Sequence, residues 1–173
     1  MNSGSGVNRR EAGQKVERDL ITWTKLSRVP AVMAGVVAPT ELLGLAATEQ
    51  LMALRDAVRE RGVGPDGRPF VCFSRFDEDD DSVYFDVGIP TSEPWTDIDP
   101  DEGRPGDMPG GFAATTRHSG TYESIPAALK ALADWIIAQG RVPVGSPYQF
   151  HTDAPEDSFD RKHWETELVW FVQ

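Results

Sequence analysis

The sequence predicts an α+β fold in which one strand-helix-strand-strand unit occurs twice. Two observations lead to this prediction. Two helical patterns of apolar residues recur 78 positions apart, and each is followed by a turn rich in glycine and proline. Each helical pattern also has one strand pattern before it and two after it. This order predicts antiparallel sheets with the helices packed on one face.

The first unit begins with the strand pattern VPAVMAGVV at 29–37. A helix follows, because four apolar residues have the spacing of one helix face: Ala47, Leu51, Leu54 and Val58. Thr40 is the expected N-cap, and Gly62 lies where the helix should end. The remaining strand patterns, 70–76 and 82–90, form the predicted hairpin.

The second unit repeats this order, beginning with a strand pattern at 111–119. Ser124 is the expected cap of its helix. The apolar face of this helix has the same spacing as the first: Ile125, Leu129, Leu132 and Ile136. Strand patterns at 148–152 and 163–172 complete the unit. The glycines and prolines of the two turns also align at 78 positions: Gly62 with Gly140, Pro65 with Pro143, Gly67 with Gly145, and Pro69 with Pro147.

The predicted domain organisation is a polar N-terminal tail followed by one domain. Residues 1–19 are the tail, and residues 20–173 form the domain. Within the domain, the first repeat is 20–91 and the second is 111–173. The connector between them, 92–110, is rich in proline, glycine and aspartate and contains Trp95.

The last strands of the two units align at 81 positions and indicate which side chains share a face. In the final strand, one apolar face should pack on the helices: Trp164, Thr166, Leu168 and Trp170. The other face carries Glu167, which aligns with Asp86 of the first unit. We therefore expect these two acids on the sheet face away from the helices. From alternation alone, Glu167 could equally be a solvent-facing residue of an amphipathic strand.

Charge and composition restrict the class of partner. The formal net charge is −11, from 28 acidic and 17 basic side chains, and no basic cluster is present. Phosphate backbones need such clusters, so we expect no direct nucleic-acid binding. No apolar run is long enough to cross a membrane, and the single cysteine, Cys72, fits a reducing cytoplasm. A lipophilic cation is electrostatically favoured.

Motifs for cofactors and metals are not convincing. The glycines of GVGPDG, at 62–67, have the spacing of a nucleotide-binding loop, but they follow a helix and precede a strand. A nucleotide loop requires the opposite order. The three histidines have no zinc-site spacing. The sequence therefore predicts no cofactor and no metal.

Two stretches carry a resemblance to a known family. The first is HSGTYESIPAALKALADWIIAQGRVPVGSPYQFHTD, and the second is HWETELVWFV. His118, Gly120, Tyr122 and Glu123 match the family's helix entrance, and Trp164 with Glu167 matches its final strand. The chain resembles the GyrI-like small-molecule-binding family, the effector-binding domains of bacterial multidrug-responsive regulators. The resemblance covers residues 20–173 and is strongest in the second half.

The resemblance implies a ligand groove between the two halves, with a glutamate that engages lipophilic cations. That residue would be Glu167. The candidate walls of the groove are Tyr122, Trp164, Trp170 and Phe150, with Trp95 as a lid and Asp86 as the equivalent acid. The family's regulators carry a DNA-binding segment before this domain, whereas about 20 polar residues precede the first strand here. We therefore expect a free-standing binding protein of the cytoplasm.

Two alternatives follow from the same resemblance. Some free-standing relatives hydrolyse strained, cyclopropane-bearing compounds, and Glu167 would then be a general base with Tyr122 or Tyr148 as the oxyanion donor. The family's namesake binds DNA gyrase, so inhibition of gyrase is the second alternative. Turnover that is lost in Glu167→Gln would indicate the hydrolase, and retention on gyrase subunits would indicate the inhibitor.

Overall fold

The computed structural model describes residues 21–121, 124–151 and 165–173. In the first part of the chain the elements are β1 (Thr22–Leu26), β2 (Val29–Pro39), α1 (Leu43–Arg61), β3 (Phe70–Asp77) and β4 (Ser82–Pro90). A short 3-10 turn at Thr40–Leu42 immediately precedes α1. The later elements are β5 (Arg104–Met108), β6 (Gly111–Ser119), α2 (Ile125–Ala138), β7 (Tyr148–His151) and β8 (Glu165–Phe171).

All eight strands belong to one antiparallel sheet in the order β1-β6-β8-β7-β3-β4-β2-β5. The predicted α+β class is confirmed. The strand triplet β6-β8-β7 is followed by β3-β4-β2, so β7 and β3 meet at the centre of the sheet. Helix α1 connects β2 to β3, which lie on either side of β4, and α2 connects β6 to β7, which lie on either side of β8.

Both helices form where the apolar spacing predicts them. The predicted faces are buried: Ala47, Leu51, Leu54 and Val58 in α1, and Ile125, Leu129, Leu132 and Ile136 in α2. Helix α1 ends at Gly62, whose φ of 67° is left-handed and favours glycine. Ser124 is at the N-cap position of α2 as predicted, although its hydroxyl donates to the carbonyl of Thr121 and does not cap an amide. The predicted cap of α1 is wrong, because Leu42 is at its N-cap position and Thr40 donates its hydroxyl to Asp81.

Two strands were not predicted. Strand β1 pairs with β6, and β5 pairs with β2 inside the segment predicted to be a connector. Both lie at the edges of the sheet, and β5 contains Pro105 and Gly106. Edge strands tolerate proline and glycine because one side of their backbone needs no partner strand. The apolar alternation that identifies a strand is therefore weak in them.

The sheet buries apolar side chains on both faces. The main core lies between the sheet and the two helices. A second cluster lies on the opposite face, here called the open face, and contains no helix residue: Ala31, Met33, Phe70, Cys72, Met108, Ala113, Tyr148, Phe150, Val169 and Phe171. Of the two helices of the described part, neither is long and apolar enough to cross a membrane.

Candidate ligand-binding site

Strand register places two lines of side chains across the centre of the open face. The first, the Glu167 row, crosses β8, β7, β3 and β4 through Glu167, Phe150, Phe70 and Gly88. The second, the Asp86 row, crosses the same strands from the other end through Asp86, Cys72, Tyr148 and Val169. An acid therefore begins each row, and the two acids lie at opposite edges of the site. Their strands are separated by three strand spacings, roughly 14 Å.

Aromatic rings occupy the middle of both rows. The Phe70 ring is fully buried. Its centroid lies 5.5 Å from the centroid of the Tyr148 ring and 6.0 Å from that of the Phe150 ring. Tyr148 in turn meets Phe171 edge-on at 5.8 Å. Tilted and edge-on rings at these separations attract each other beyond the apolar area that they bury. The centre of the open face is therefore a packed aromatic floor.

Glycine at position 88 makes room for this floor. A Cβ atom built there would lie 2.2 Å from Cζ of Phe70, closer than any real contact. The Phe70 ring thus lies directly over the backbone of β4 and fills the place of the missing side chain. In the Asp86 row the position on β8 is Val169 instead. The two rows differ in shape for this reason.

The Glu167 carboxylate is paired with an arginine. Nη2 of Arg68 donates a hydrogen bond to Oε2 of Glu167 at 2.6 Å. The same guanidinium lies over the Phe150 ring, with its central carbon 4.8 Å from the ring centroid. The Glu167 side chain is 28% exposed and that of Arg68 is 51% exposed. A carboxylate and a ring therefore hold a flat cation between them at the solvent boundary.

Asp86 has a comparable partner from a different part of the chain. Nη2 of Arg104, on the edge strand β5, donates to Oδ1 of Asp86 at 2.7 Å. The Asp86 side chain is 19% exposed, less than that of Glu167. Its cross-strand neighbours are Cys72 and Gly35, so no aromatic ring lies directly opposite it. The two acids are alike in pairing and unlike in their apolar surroundings.

Sequence comparison does not identify this chain, because no family model and no curated protein matches it. Solved structures match its fold. The EcmrR C-terminal domain is 14% identical with a TM-score of 0.75, and the match covers 92% of this chain and 99% of that one. EcmrR in its DNA complex is 15% identical with a TM-score of 0.74, covering 88% and 57%. A hydrolase from Listeria innocua is 11% identical with a TM-score of 0.61, covering 89% and 92%.

The chain has the GyrI-like fold. At these identities the likeness establishes the arrangement of strands and helices. What the GyrI-like fold does in this chain must therefore be argued from its own side chains.

The GyrI-like sheet brings three of the predicted site residues to one face. Glu167 and Phe150 are direct cross-strand neighbours, and Asp86 lies on the same face. Trp170 lies on the opposite face, packed against the main core, where its Nε1 donates to the carbonyl of Gly145 at 3.1 Å. Trp95 is also on that side, 4% exposed within the main core. The other two predicted residues, Tyr122 and Trp164, lie outside the described residues.

Trp95 and Trp170 therefore do not form a lid and a wall for Glu167. Trp95 is drawn away from the open face by apolar burial, because its indole packs in the main core beside α1. The Arg61 guanidinium carbon lies 5.8 Å from its ring centroid. For Trp170 the reason is strand alternation, which places it on the same face as Leu168.

The two arginines of the site were not predicted from the sequence. Arg68 lies in the turn before β3, and Arg104 lies in the segment predicted to be a connector. Arg68 immediately precedes the Pro69-Phe70 pair at the start of β3, and β3 lies beside β7 in the centre of the sheet. Its side chain can therefore reach the neighbouring strands β7 and β8.

Cys72 and Tyr148 form a buried polar pair in the Asp86 row. They are cross-strand neighbours, and each is less than a tenth exposed. Burial raises the pKa of the Tyr148 phenol far above its ordinary value, and the neighbouring Cys72 adds to the shift. Burial also raises the pKa of the Cys72 thiol. The phenol is protonated at neutral pH, as an ordinary tyrosine is, and can donate a hydrogen bond.

The raised pKa of Cys72 has a measurable consequence. Alkylation requires the thiolate, and a raised pKa leaves less thiolate at any given pH. We expect iodoacetamide at pH 8 to modify Cys72 in the folded protein at least about 10-fold more slowly than in urea. Mass spectrometry of timed samples measures both rates. Equal rates would contradict the buried placement of Cys72.

One cleft adjoins this site, and another lies on the helix face of the sheet. One of about 450 Å³ adjoins the end of the Asp86 row, between Tyr148, Phe171, Ser146 and Gly111. Another of about 460 Å³ lies on the helix face, between α2 and β6, and is lined by Ala131, Trp135 and Thr116. The first continues the aromatic floor, and the second does not touch Glu167.

Proposed function

We propose that this chain binds small lipophilic molecules, cationic or aromatic in character, on the open face, with Glu167 as the anchor for their charge. The observation that carries the proposal is the internal cation at this position. The Arg68 guanidinium is held by the Glu167 carboxylate and by the Phe150 ring. A carboxylate beside an aromatic ring is a binding site for a delocalised cation, whichever molecule supplies it.

The surroundings of Glu167 suit a ligand with an apolar body. Phe150, under the Arg68 guanidinium, and Tyr148, beside the cleft with Phe171, are the two ends of the aromatic floor that a ligand can reach, whereas Phe70 between them is fully buried. Burial of apolar ligand area on such a floor supplies affinity at roughly 25 cal/mol per Å². Few polar groups fix the ligand's orientation, so we expect tolerance of several ligand shapes, as in multidrug binding. Asp86 would be the second, weaker anchor.

A charge-matched pair of ligands tests the proposal. Naphthylguanidinium and naphthylurea have the same ring and nearly the same shape, but only the first is a cation. We expect the cation to bind the wild-type protein more tightly in calorimetric titration and to raise its thermal midpoint. At 100 times its dissociation constant the gain in stability is about 2.7 kcal/mol. Equal binding of the two compounds would contradict the role of charge.

A hydrolytic function is the second candidate, and one observation favours it. The protonated phenol of Tyr148 lies on the same face as Glu167, diagonally across from it on β7. Such a phenol could donate to an oxyanion while Glu167 accepts a proton from water. However, Oε2 of Glu167 already accepts a hydrogen bond from Arg68. Multiple turnovers of a strained cyclopropane substrate, lost in Glu167→Gln, would favour the hydrolase over the binding protein.

We also propose that the two halves of the domain arose by duplication. The support is the alignment of the two units at 78 positions, together with the sheet order β6-β8-β7 followed by β3-β4-β2. Under this proposal a two-fold axis passes between β7 and β3 and exchanges the Glu167 row with the Asp86 row. The ligand site would then lie on the axis, between the halves.

A further inference from the structure

Arg68 makes both of the contacts that the proposed ligand needs. Its Nη2 donates to Oε2 of Glu167 at 2.6 Å, and its guanidinium lies over the Phe150 ring. A ligand cation that binds the same oxygen and the same ring face must take the place of this guanidinium. Two cations cannot occupy that position together, because they would overlap and repel each other.

The position of Arg68 in the chain allows its side chain to leave without disturbing the sheet. It lies in the turn between α1 and β3, next to Gly67, and its side chain is 51% exposed. The backbone of this turn is held independently, since the amide of Asp66 donates to the carbonyl of Pro90. A half-exposed guanidinium regains water when it moves outward. Its release therefore requires a side-chain rotation and no unfolding.

The position that corresponds to Arg68 beside the Asp86 row is uncharged. Under the 78-position alignment, the counterpart of Arg68 is Ser146, although the counterpart acid Asp86 is present. Asp86 is paired with Arg104 of β5, and β5 lies outside both of the repeats predicted from the sequence. The turn arginine thus pairs with the acid of the Glu167 row, in which an aromatic ring lies opposite the acid, and has no counterpart beside the Asp86 row. This asymmetry links Arg68 to the cation position.

We infer that Arg68 is an internal competitor for the ligand cation: it occupies Glu167 and Phe150 in the free protein and is displaced when a cation binds. This inference rests on the proposed function of the same site. The apparent affinity for a cation is then the intrinsic affinity reduced by the fraction of molecules in which Arg68 has left the site. Arg68 sets a threshold that weakly bound cations do not overcome.

The substitution Arg68→Gln tests the inference. It removes the guanidinium, so the cation site is permanently free. Because a half-exposed ion pair and a cation–ring contact are both modest, we expect naphthylguanidinium to bind about 3- to 30-fold more tightly to this variant than to wild type. Naphthylurea should gain less, because it forms no ion pair with the freed carboxylate. In the double variant Arg68→Gln/Glu167→Gln the gain should disappear, because the freed acid is gone.

Arg28→Gln is the control for the change in net charge. Arg28 is also an exposed arginine paired with an acid, Asp107, but it lies next to the edge strand β5. Arg28→Gln removes the same charge from an ion pair that does not include Glu167, so it should leave the affinity for the cation within about twofold of wild type. Thermal unfolding of each variant establishes that all of them are folded before titration.

The outcomes separate the inference from the proposed function. If wild type prefers the cation and Arg68→Gln binds it no more tightly than Arg28→Gln does, the site is real but Arg68 is not a competitor. If Arg68→Gln binds the cation more weakly, Arg68 contributes to the bound state and the inference is overturned. If neither wild type nor Arg68→Gln distinguishes the cation from the urea, the proposed function itself fails.

Discussion

Replacement of Gly88 by alanine is expected to lower the free energy of unfolding by about 2–3 kcal/mol. The added Cβ would lie 2.2 Å from Cζ of Phe70 and within 3 Å of two further ring atoms. Phe70 is fully buried at the centre of the sheet, so its ring cannot move aside without disturbing Tyr148 and Phe150. The thermal midpoint should fall by roughly 4–12 °C in a domain of this size.

The matched control is Gly35→Ala, on the neighbouring strand β2 and the same face. A Cβ there would meet only Oδ1 of Asp86, at the ordinary contact distance of 3.5 Å. We expect its free energy of unfolding to stay within about 0.5–1 kcal/mol of wild type. If urea unfolding gives equal losses for the two variants, the packing of Phe70 over Gly88 is not what position 88 requires.

The second large effect is expected for Glu167→Gln, as a loss of about 10-fold in affinity for naphthylguanidinium. The amide keeps the shape of the side chain and removes its charge, so the charge-assisted hydrogen bond becomes an ordinary one. The side chain is 28% exposed, and water weakens the interaction, which places the loss at the lower end for such bonds. The affinity for naphthylurea should not change, since no ion pair is lost. Titration calorimetry at low ionic strength measures both affinities.

Glu165→Gln is the control for this variant. Glu165 lies two residues earlier on β8, on the same face, and its side chain is 49% exposed. The chemical change is identical, and Glu165 also lies beside an arginine, Arg117 at 4.0 Å, but the Phe150 ring on β7 is the cross-strand neighbour of Glu167. We expect less than a twofold change in affinity for the cation. Equal losses in the two variants would mean that the overall negative field, and not Glu167, attracts the ligand.

The sequence was sufficient to assign the faces of the central strands. In β4 and β8, apolar residues alternate with acids, and burial on a helix-covered face accepts only the apolar set. Glu167 and Asp86 are for this reason on the open face, as predicted. The helices were equally predictable, because their apolar spacing repeats without interruption.

The sequence was not sufficient for residues whose position depends on the tertiary path of the chain. Trp95 lies in a segment without periodic pattern, and only the packing of that segment beside α1 brings its indole into the main core. Arg68 is a turn residue, and its contact with Glu167, 99 positions away, depends on which strands meet at the centre of the sheet. The pairing of β3 with β7 decides this, and no local pattern encodes it.

The central claim is that a cation lies between Glu167 and Phe150, in the place of the Arg68 guanidinium. An NMR experiment that detects contacts between naphthylguanidinium protons and assigned side chains of the wild-type protein tests this most directly. The account predicts contacts to the Phe150 ring and to the Glu167 methylenes, together with a shift of the Arg68 side-chain signals toward those of a solvated arginine. Contacts to Ala131 and Trp135 in the cleft beside α2, with unchanged Arg68 signals, would contradict it.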